Sequence, residues 1–527
     1  MNGDYTSNTS SPIPATLKQR FEQLDGDRRS VLTRTELYAS WTLPYICPPL
    51  HVKQDELQSN LDSLGARATN HLSNKIAETT FTPYRPFFKL ELTEEMQKEL
   101  NATGQPEKVG ELMTKIDTEL SYVERQSMRR LEKMGYRTAA VLAIKHLIIT
   151  GNALIYHPPG GKAQVYDLRN YCIVRDISGT FVEIVMRDCK AFETFSADVQ
   201  QRLLTAGAGR YKPGLHQDVT IYTRVTLEAD GKYHVKQAAE NVDLGVHEIW
   251  PVNACPWIAL TWNLLRGENY GRGLVEDFAG AFHAITMLTQ ALVEGAAIAA
   301  DIKFLVNPAS SLDIEELNKA ASGSYHYGRE GDITSPEVKK QNDFNMANAL
   351  IERFTREISQ AFLLMQGTTR DAERVTALEI RRDAQELESS LGGIYSRLAE
   401  EWQNPLARLL LDRQKFQIGG ERAIEPVIIT GMDSLSRGGE LDNIQLFLGD
   451  LALLDQVPEE FRARIDATRF MQVIGAARAV DYNKFLKTPE QLAADQQQAM
   501  AQQRALMQAQ AGADVQAEVG KQVAKEP

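Results

Sequence analysis

An α+β fold, mainly helical, is what the sequence predicts, and three observations lead there. Apolar residues recur at three- and four-residue spacing over most of the chain, as in Leu17, Phe21 and Leu24, which is the period of an amphipathic helix. A central block after Gly151 is instead rich in Val, Ile, Tyr and Thr, with turn pairs between its apolar runs, the pattern of antiparallel strands. At 527 residues and 43% hydrophobic content, the chain is long enough for about three or four domains with real cores.

The first helical region runs from Ala15 to Ser40 and a second from about Asp55 to Thr80, before the proline-broken aromatic stretch "FTPYRPFFKLEL". A third, about Lys108 to Ile149, ends at Gly151. Its last part, "RTAAVLAIKHLIITGNALIY" (Arg137 to Tyr156), is the most apolar window, but Lys145, His146 and Asn152 interrupt it. A membrane span needs about 18 nearly uncharged apolar residues, so the window predicts a buried helix running into a strand, and no membrane role. In the sheet block, Ser178-Gly179 and Asp230-Gly231 have the composition of hairpin loops.

An Ala-rich apolar helix is expected over Leu274 to Ala300, broken by Asn307-Pro308, and then a small insertion with short strands over 301–343. Two more helices follow. Ile351, Phe354, Ile358, Phe362 and Met365 mark one face of the first; Leu387, Leu391, Ile394, Leu398 and Trp402 mark one face of the second. Thr376 and Glu379 in "TALE" open the second as a capping box, and Gly392-Gly393 with Pro405 predict a kink. The polar loop "QGTTRDAER" joins the two. A more acidic helical region, about Leu441 to Lys487, precedes a Gln/Ala-rich tail of low complexity.

The chemistry is mostly negative. With 58 basic and 70 acidic residues and a net charge of −12, the surface as a whole is not a nucleic-acid grip. Cys47, Cys172, Cys189 and Cys255 form no CxxC pair, so reduced, buried thiols are expected. The Gly-x-Gly turn in "NYGRGLVEDFAGAFHAI" (Asn269 to Ile285) lacks a third glycine, because position 276 is Glu276. In "PPGGKAQVY", Ala163 stands where a phosphate loop needs Ser or Thr. His283 has no partner set, so a packed or hydrogen-bonded helix histidine is expected. There is no HExxH and no GxSxG. An enzyme, a cofactor and a metal site are therefore not expected.

"GENYGRGLVEDFAG" followed by "ALVEGAAIAADIKFLVNP" resembles the portal proteins, or head-to-tail connectors, of autographivirus-like short-tailed podophages. "WTLPYICPP", "NHLSNKI", "PFFKL", "GNALIY", "PWIALTWN", "ERVTALEIRRDAQELESSLGGIYSRL" and the "NPL" at Asn404 continue the match in the same order, over about residues 15 to 440. The resemblance implies a portal fold of wing, stem, clip and crown, assembled as a ring with a central channel. It places the wing at 1–272, with the structural turn at Gly271 and Gly273 leading into stem helix 1 at 273–300. The clip is then 301–343, stem helix 2 is 344–365 and the tunnel loop is 366–374. A long kinked wing helix and return strand occupy 375–438, the crown 439–490 and a C-terminal barrel or tail 491–527.

The same resemblance implies a homododecamer at one capsid vertex of the virion, assembled in the host cytoplasm, through which double-stranded DNA is packaged and ejected. Implied partners are the terminase large subunit, a tail adaptor protein, scaffold, major capsid protein and internal core proteins. The tunnel-loop residues are Gln366, Gly367, Thr368, Thr369, Arg370, Asp371 and Arg374. Channel charges fall on Lys339, Lys340, Arg370 and Arg374, and clip docking on Tyr325, His326, Tyr327, Arg329 and Glu330. Twelve copies at −12 each carry −144 formally, a conduit that keeps DNA sliding. The alternatives are a non-portal structural or scaffolding virion protein, and an enzyme argued only by two degenerate glycine pairs.

Overall fold

The computed structural model describes residues 16–50, 60–81, 86–93, 106–206, 217–239, 242–300, 341–364, 393–414 and 424–428, most of 305–334 and a few isolated positions. The chain divides into two compact units, Met1–Met432 and Asp433–Pro527. Nearly all of the second lies outside the described residues, as do the expected acidic helical region, the Gln/Ala-rich tail, and Thr376 and Glu379.

The expected first helix is two, α1 (Leu17–Asp27) and α2 (Arg29–Trp41), hinged at Arg28. Arg28 explains the break. Its buried guanidinium donates to the carbonyls of Leu168, Arg169 and Tyr171 and to Asp25, so the interhelix corner is bolted to the sheet. Burying that cation is tolerated because its donors are satisfied. The second helical region is shorter than expected: α3 spans Leu64–Thr80. β1 (Phe88–Leu92) precedes α4 (Pro106–Lys133) and α5 (Tyr136–Thr150), which together make up the third helical region. Gly135, at φ 61°, supplies the left-handed turn between them that other residues enter at a cost.

α5 runs directly into β2 (Asn152–Tyr156), as the sequence predicts. β3 (Gln164–Tyr166), β4 (Tyr171–Arg175), β5 (Phe181–Ala191), α6 (Ala197–Ala206), β6 (Asp218–Leu227), β7 (Lys232–Ala239), β8 (Val242–Pro251) and β9 (Trp257–Thr261) complete the block. Five strands form an antiparallel meander, β4-β5-β6-β7-β8, and a separate three-stranded sheet has the order β3-β2-β9. Gly179 and Gly231 take positive φ at the two predicted hairpin turns. Arg20 of α1 and Arg224 of β6 both pair with buried Glu183 of β5 at 2.6 Å. Although burial pushes the Glu183 carboxyl up, these two cations hold it below its ordinary range.

The main core surrounds α5, whose Ala140, Ala143, Ile144, Leu147, Ile148 and Ile149 are fully buried. Burial around most of its second half is why α5 reads as largely apolar rather than amphipathic, with Arg137 and Thr138 exposed at its start. α2, α3, β2, β9 and a helical segment near the C-terminal end of the first unit close around it. That segment is the kinked one: Gly393, at φ 81°, starts α11 (Ile394–Leu398), Ala399–Gln403 form a π-helical turn, and α12 (Asn404–Gln414) follows. The π turn places Trp402 in the core, where its Nε1 donates to Tyr136 Oη at 2.6 Å, and aims Glu401 at the backbone N–H of Thr261 at 3.1 Å. Finally β12 (Ile424–Ile428) pairs antiparallel with β1, in register Phe88 to Ile428.

Three of the four cysteines are buried as expected, but Cys189 is exposed. It sits in β5, directly opposite Thr220 of β6.

Candidate functional site

The Gly-x-Gly turn is the root of a helical hairpin. α7 (Leu274–Asp277) and α8 (Ala279–Ala300) follow it, broken at Phe278. The chain passes through the insertion, with β10 (Leu305–Val306), α9 (Ile314–Lys319) and β11 (Ile333–Thr334), and returns as α10 (Gln341–Ala361). α8 and α10 lie antiparallel: Gly295 meets the Phe344 ring far out, while Phe278 and Phe282 meet Phe362 at the root, at 6.2 and 5.8 Å between centroids.

Only the root is buried. Phe282, Ile285, Ile358 and Phe362 belong to the main core, whereas Met287, Val293, Ile298, Met346 and Leu350 are exposed. Along 22 residues α8 is about 33 Å long, and most of it projects from the core. Its Ala279–Ile298 stretch is long and apolar enough to cross a membrane, by length and composition alone. This corrects the expectation that no stretch meets that test, because the window chosen from sequence was α5.

The turn glycines serve close approach rather than an unusual φ. Neither Gly271 nor Gly273 has a positive φ. A Cβ on Gly273 would lie 2.6 Å from the Ile148 carbonyl oxygen and 2.9 Å from the Gly151 nitrogen, and one on Gly271 would lie 2.7 Å from the Gly151 oxygen. The close approach is therefore within the chain, between this turn and the α5–β2 corner. Asn152, fully buried, clamps it: its side chain accepts from Gly271 N at 2.7 Å and donates to Gly271 O at 3.0 Å. On the outer side Arg272 bridges Glu268 and Glu276, both at 3.0 Å, and Arg34 of α2 adds a contact to Glu276 at 3.4 Å. The hairpin is thus launched from a rigid socket.

A second break lies at the other foot. Leu363 has φ 58°, the one positive value outside glycine among the described residues, and its carbonyl accepts from the His71 ring of α3. Burial holds that imidazole, like His146 and His157, below the ordinary histidine range. His283 is exposed instead of packed inside, with its ring 5.7 Å from that of Trp41. Among the described residues no group of His, Cys, Asp and Glu is placed to hold a metal ion.

Of the residues expected in the insertion, Tyr325 and Tyr327 are fully exposed, and His326 is exposed with Nε2 2.8 Å from Ser324 Oγ. Arg329 donates its backbone N–H to buried Asp332 at 2.6 Å, which shapes the turn before β11. Glu330, Lys339, Lys340, Gln366, Gly367, Thr368, Thr369, Arg370, Asp371 and Arg374 lie outside the described residues. Sequence reasoning missed Gly151, Asn152 and Leu363. The first two stand in a "GN" pair after an apolar helix, which signals a helix cap but not its distant partner.

Residues 14–486 match the family described as "Bacteriophage head to tail connecting protein". The chain belongs to that family. Among its relatives are proteins named portal protein. That of Enterobacteria phage SP6 is 33% identical over 91% of this chain and 92% of its own length. That of Enterobacteria phage T3 is 34% identical over 90% and 88%. That of Escherichia phage T7 is 32% identical over 92% and 90%. Solved gene-transfer-agent virion and neck structures align at TM-scores of 0.34 and 0.35 with 10% and 12% identity over 80% and 79% of the connector chain, and 89% and 90% of theirs, too distant to bear on the fold.

Proposed function

We infer that this connector is a portal protein: copies close into a ring at one capsid vertex, giving a passage for the genome and a platform for the proteins that dock there. The observation that carries the reading is the family match over residues 14–486, at about a third identity to portal proteins along nearly their whole length. The hairpin supplies the physical side. Met287, Val293 and Ile298 on α8, with Met346 and Leu350 on α10, are exposed apolar side chains that a neighbouring copy would cover in a head-to-tail contact. Such heterologous contacts close into a ring when the rotation allows. Twelve subunits are proposed, with stem, clip and tunnel loop divided at 273–300, 301–343, 344–365 and 366–374.

In that ring the fully exposed Tyr325 and Tyr327, with His326 and Arg329 near them, form the docking face. The terminase large subunit takes it during packaging and a tail adaptor protein afterwards; aromatic side chains are strong interface anchors. Lys339, Lys340, Arg370 and Arg374 are proposed as the local cations of an otherwise acidic conduit. Scaffold, major capsid protein and internal core proteins are the proposed contacts on the capsid side, with assembly in the host cytoplasm. The test is single-particle electron microscopy of the purified protein, alone and with scaffold. Rings with a central channel are expected, and a chain that stays monomeric under both conditions defeats the reading.

A further inference from the structure

The second half of α4 carries an unpaired basic stripe in a chain whose net charge is −12. Arg125, Arg129 and Lys133 recur every four residues, so they share one helical face over about 12 Å. All three are exposed, as are Arg130 and Arg137 beside them. Among the described residues none of these five makes an ion pair; Arg125 donates only to the Ser121 carbonyl, at 3.2 Å. The fold adds a sixth cation that sequence spacing does not: Arg413 of α12 lies within electrostatic range of Arg130, and burial first, then Arg130, lowers its pKa. Of the carboxylates adjacent in sequence, Glu132 and Asp412 are exposed, while Glu124 is buried and accepts from the Leu90 N–H at 2.8 Å, too few to neutralise the group.

Helix stability does not account for the stripe. Cations favour the last helical turn through the macrodipole, an effect confined to that turn, which covers Arg130 and Lys133 but not Arg125 or Arg129. Like charges at four-residue spacing instead cost a few tenths of a kcal/mol per pair. Tyr122 is exposed at the start of the stripe, but no large apolar side chain between 123 and 137 is, so the surface lacks the broad apolar centre that a stable protein interface buries. A duplex backbone needs none: it presents one phosphate per about 1.7 Å of axis, or about seven along this stripe.

We propose that the Arg125, Arg129, Lys133 stripe, with Arg130, Arg137 and Arg413 beside it, is a docking surface for the phosphate backbone of double-stranded DNA, separate from any axial passage. It rests on the portal reading only in that DNA is at hand. The experiment titrates the full-length protein with a relaxed, covalently closed duplex circle, which cannot thread a channel, over about 50–200 mM salt.

Wild type is expected to bind the circle with a salt-dependent affinity. The Arg125→Ala, Arg129→Ala, Lys133→Ala variant should lower the salt slope by about 0.9 per cation removed, while Arg125→Lys with Arg129→Lys keeps the slope and so reports against a folding defect. No binding of the circle by wild type, or the same slope in the alanine variant, overturns the proposal. So does tighter binding of poly-glutamate than of the circle at the same salt, since the stripe would then belong to an acidic polypeptide. The titration runs on ring or monomer alike, so failure of the ring and failure of the stripe are read separately.

Discussion

Gly273→Ala is a small perturbation with a large expected effect. The added Cβ would lie 2.6 Å from the Ile148 oxygen and 2.9 Å from both the Gly151 nitrogen and the Ile149 oxygen. All three are backbone atoms at the corner between α5 and β2, where Leu147, Ile148, Ile149 and Thr150 are all buried, so neither side can swing away as a flexible side chain would. Overpacking of this kind costs about 1–3 kcal/mol. Relief by parting the two segments stretches the Asn152 bonds to Gly271, each contributing about 1 kcal/mol net. The expected loss is about 2–4 kcal/mol, or about 4–8 °C in Tm at roughly 2 °C per kcal/mol for a unit of this size.

The matched control is Gly280→Ala, seven residues on in α8, where an added Cβ meets nothing within 4 Å. Alanine in a helix is worth about 0.5–1 kcal/mol over glycine, so this variant should hold or gain stability. Urea unfolding followed by circular dichroism and tryptophan fluorescence would compare the midpoints. Equal midpoints for the two variants, or a Gly273→Ala chain as stable as wild type, would refute the socket argument. The same variant should also lower the yield of rings, because the turn sets how the hairpin leaves the core.

Acid should destabilise the fold through His146 and His157, which burial holds near a pKa of about 4. The unfolded chain takes up their protons from about pH 6.5 downwards, so stability falls between about 6.5 and 4, by up to about 1.4 kcal/mol per pH unit for each histidine. His146→Leu should flatten that pH dependence of the unfolding midpoint; an unchanged slope would show that His146 does not bear it. Trp402→Phe removes the 2.6 Å bond to Tyr136 and part of a fully buried ring, for an expected loss of about 2–4 kcal/mol in the same urea assay. Arg370→Ala with Arg374→Ala should reduce DNA retention in a packaging assay; retention equal to wild type removes these charges from the passage. Deleting part of the insertion around Tyr325–Tyr327 should spare rings and abolish terminase docking, and loss of the rings themselves would count against that assignment.

How much was legible depends on whether the signal was local. The α5–β2 junction, the hairpin turns at Gly179 and Gly231 and the helical hairpin were readable, because periodicity and turn chemistry are properties of neighbouring residues. The breaks at Arg28 and Phe278 were not. Arg28 looks like one more charge on a helix until its three carbonyl partners, some 140 residues away, are in place. In the same way α5 and α8 both read as apolar helices, yet one is the centre of the core and the other projects from it, since composition reports the wish for burial and not what supplies it.

Alone, then, the sequence determined the element types, the acidic balance and, through ordered segments shared with its family, the class of machine. Tertiary structure decided why Gly271 and Gly273 must be glycines: backbone of Ile148, Ile149 and Gly151 occupies the space a side chain would need. It also decided that Arg413 stands beside the α4 stripe and that the hairpin leaves its apolar surface uncovered. These are facts about which distant segments share a place, and no local pattern encodes that, because packing selects partners by shape and solvent exclusion over the whole chain at once.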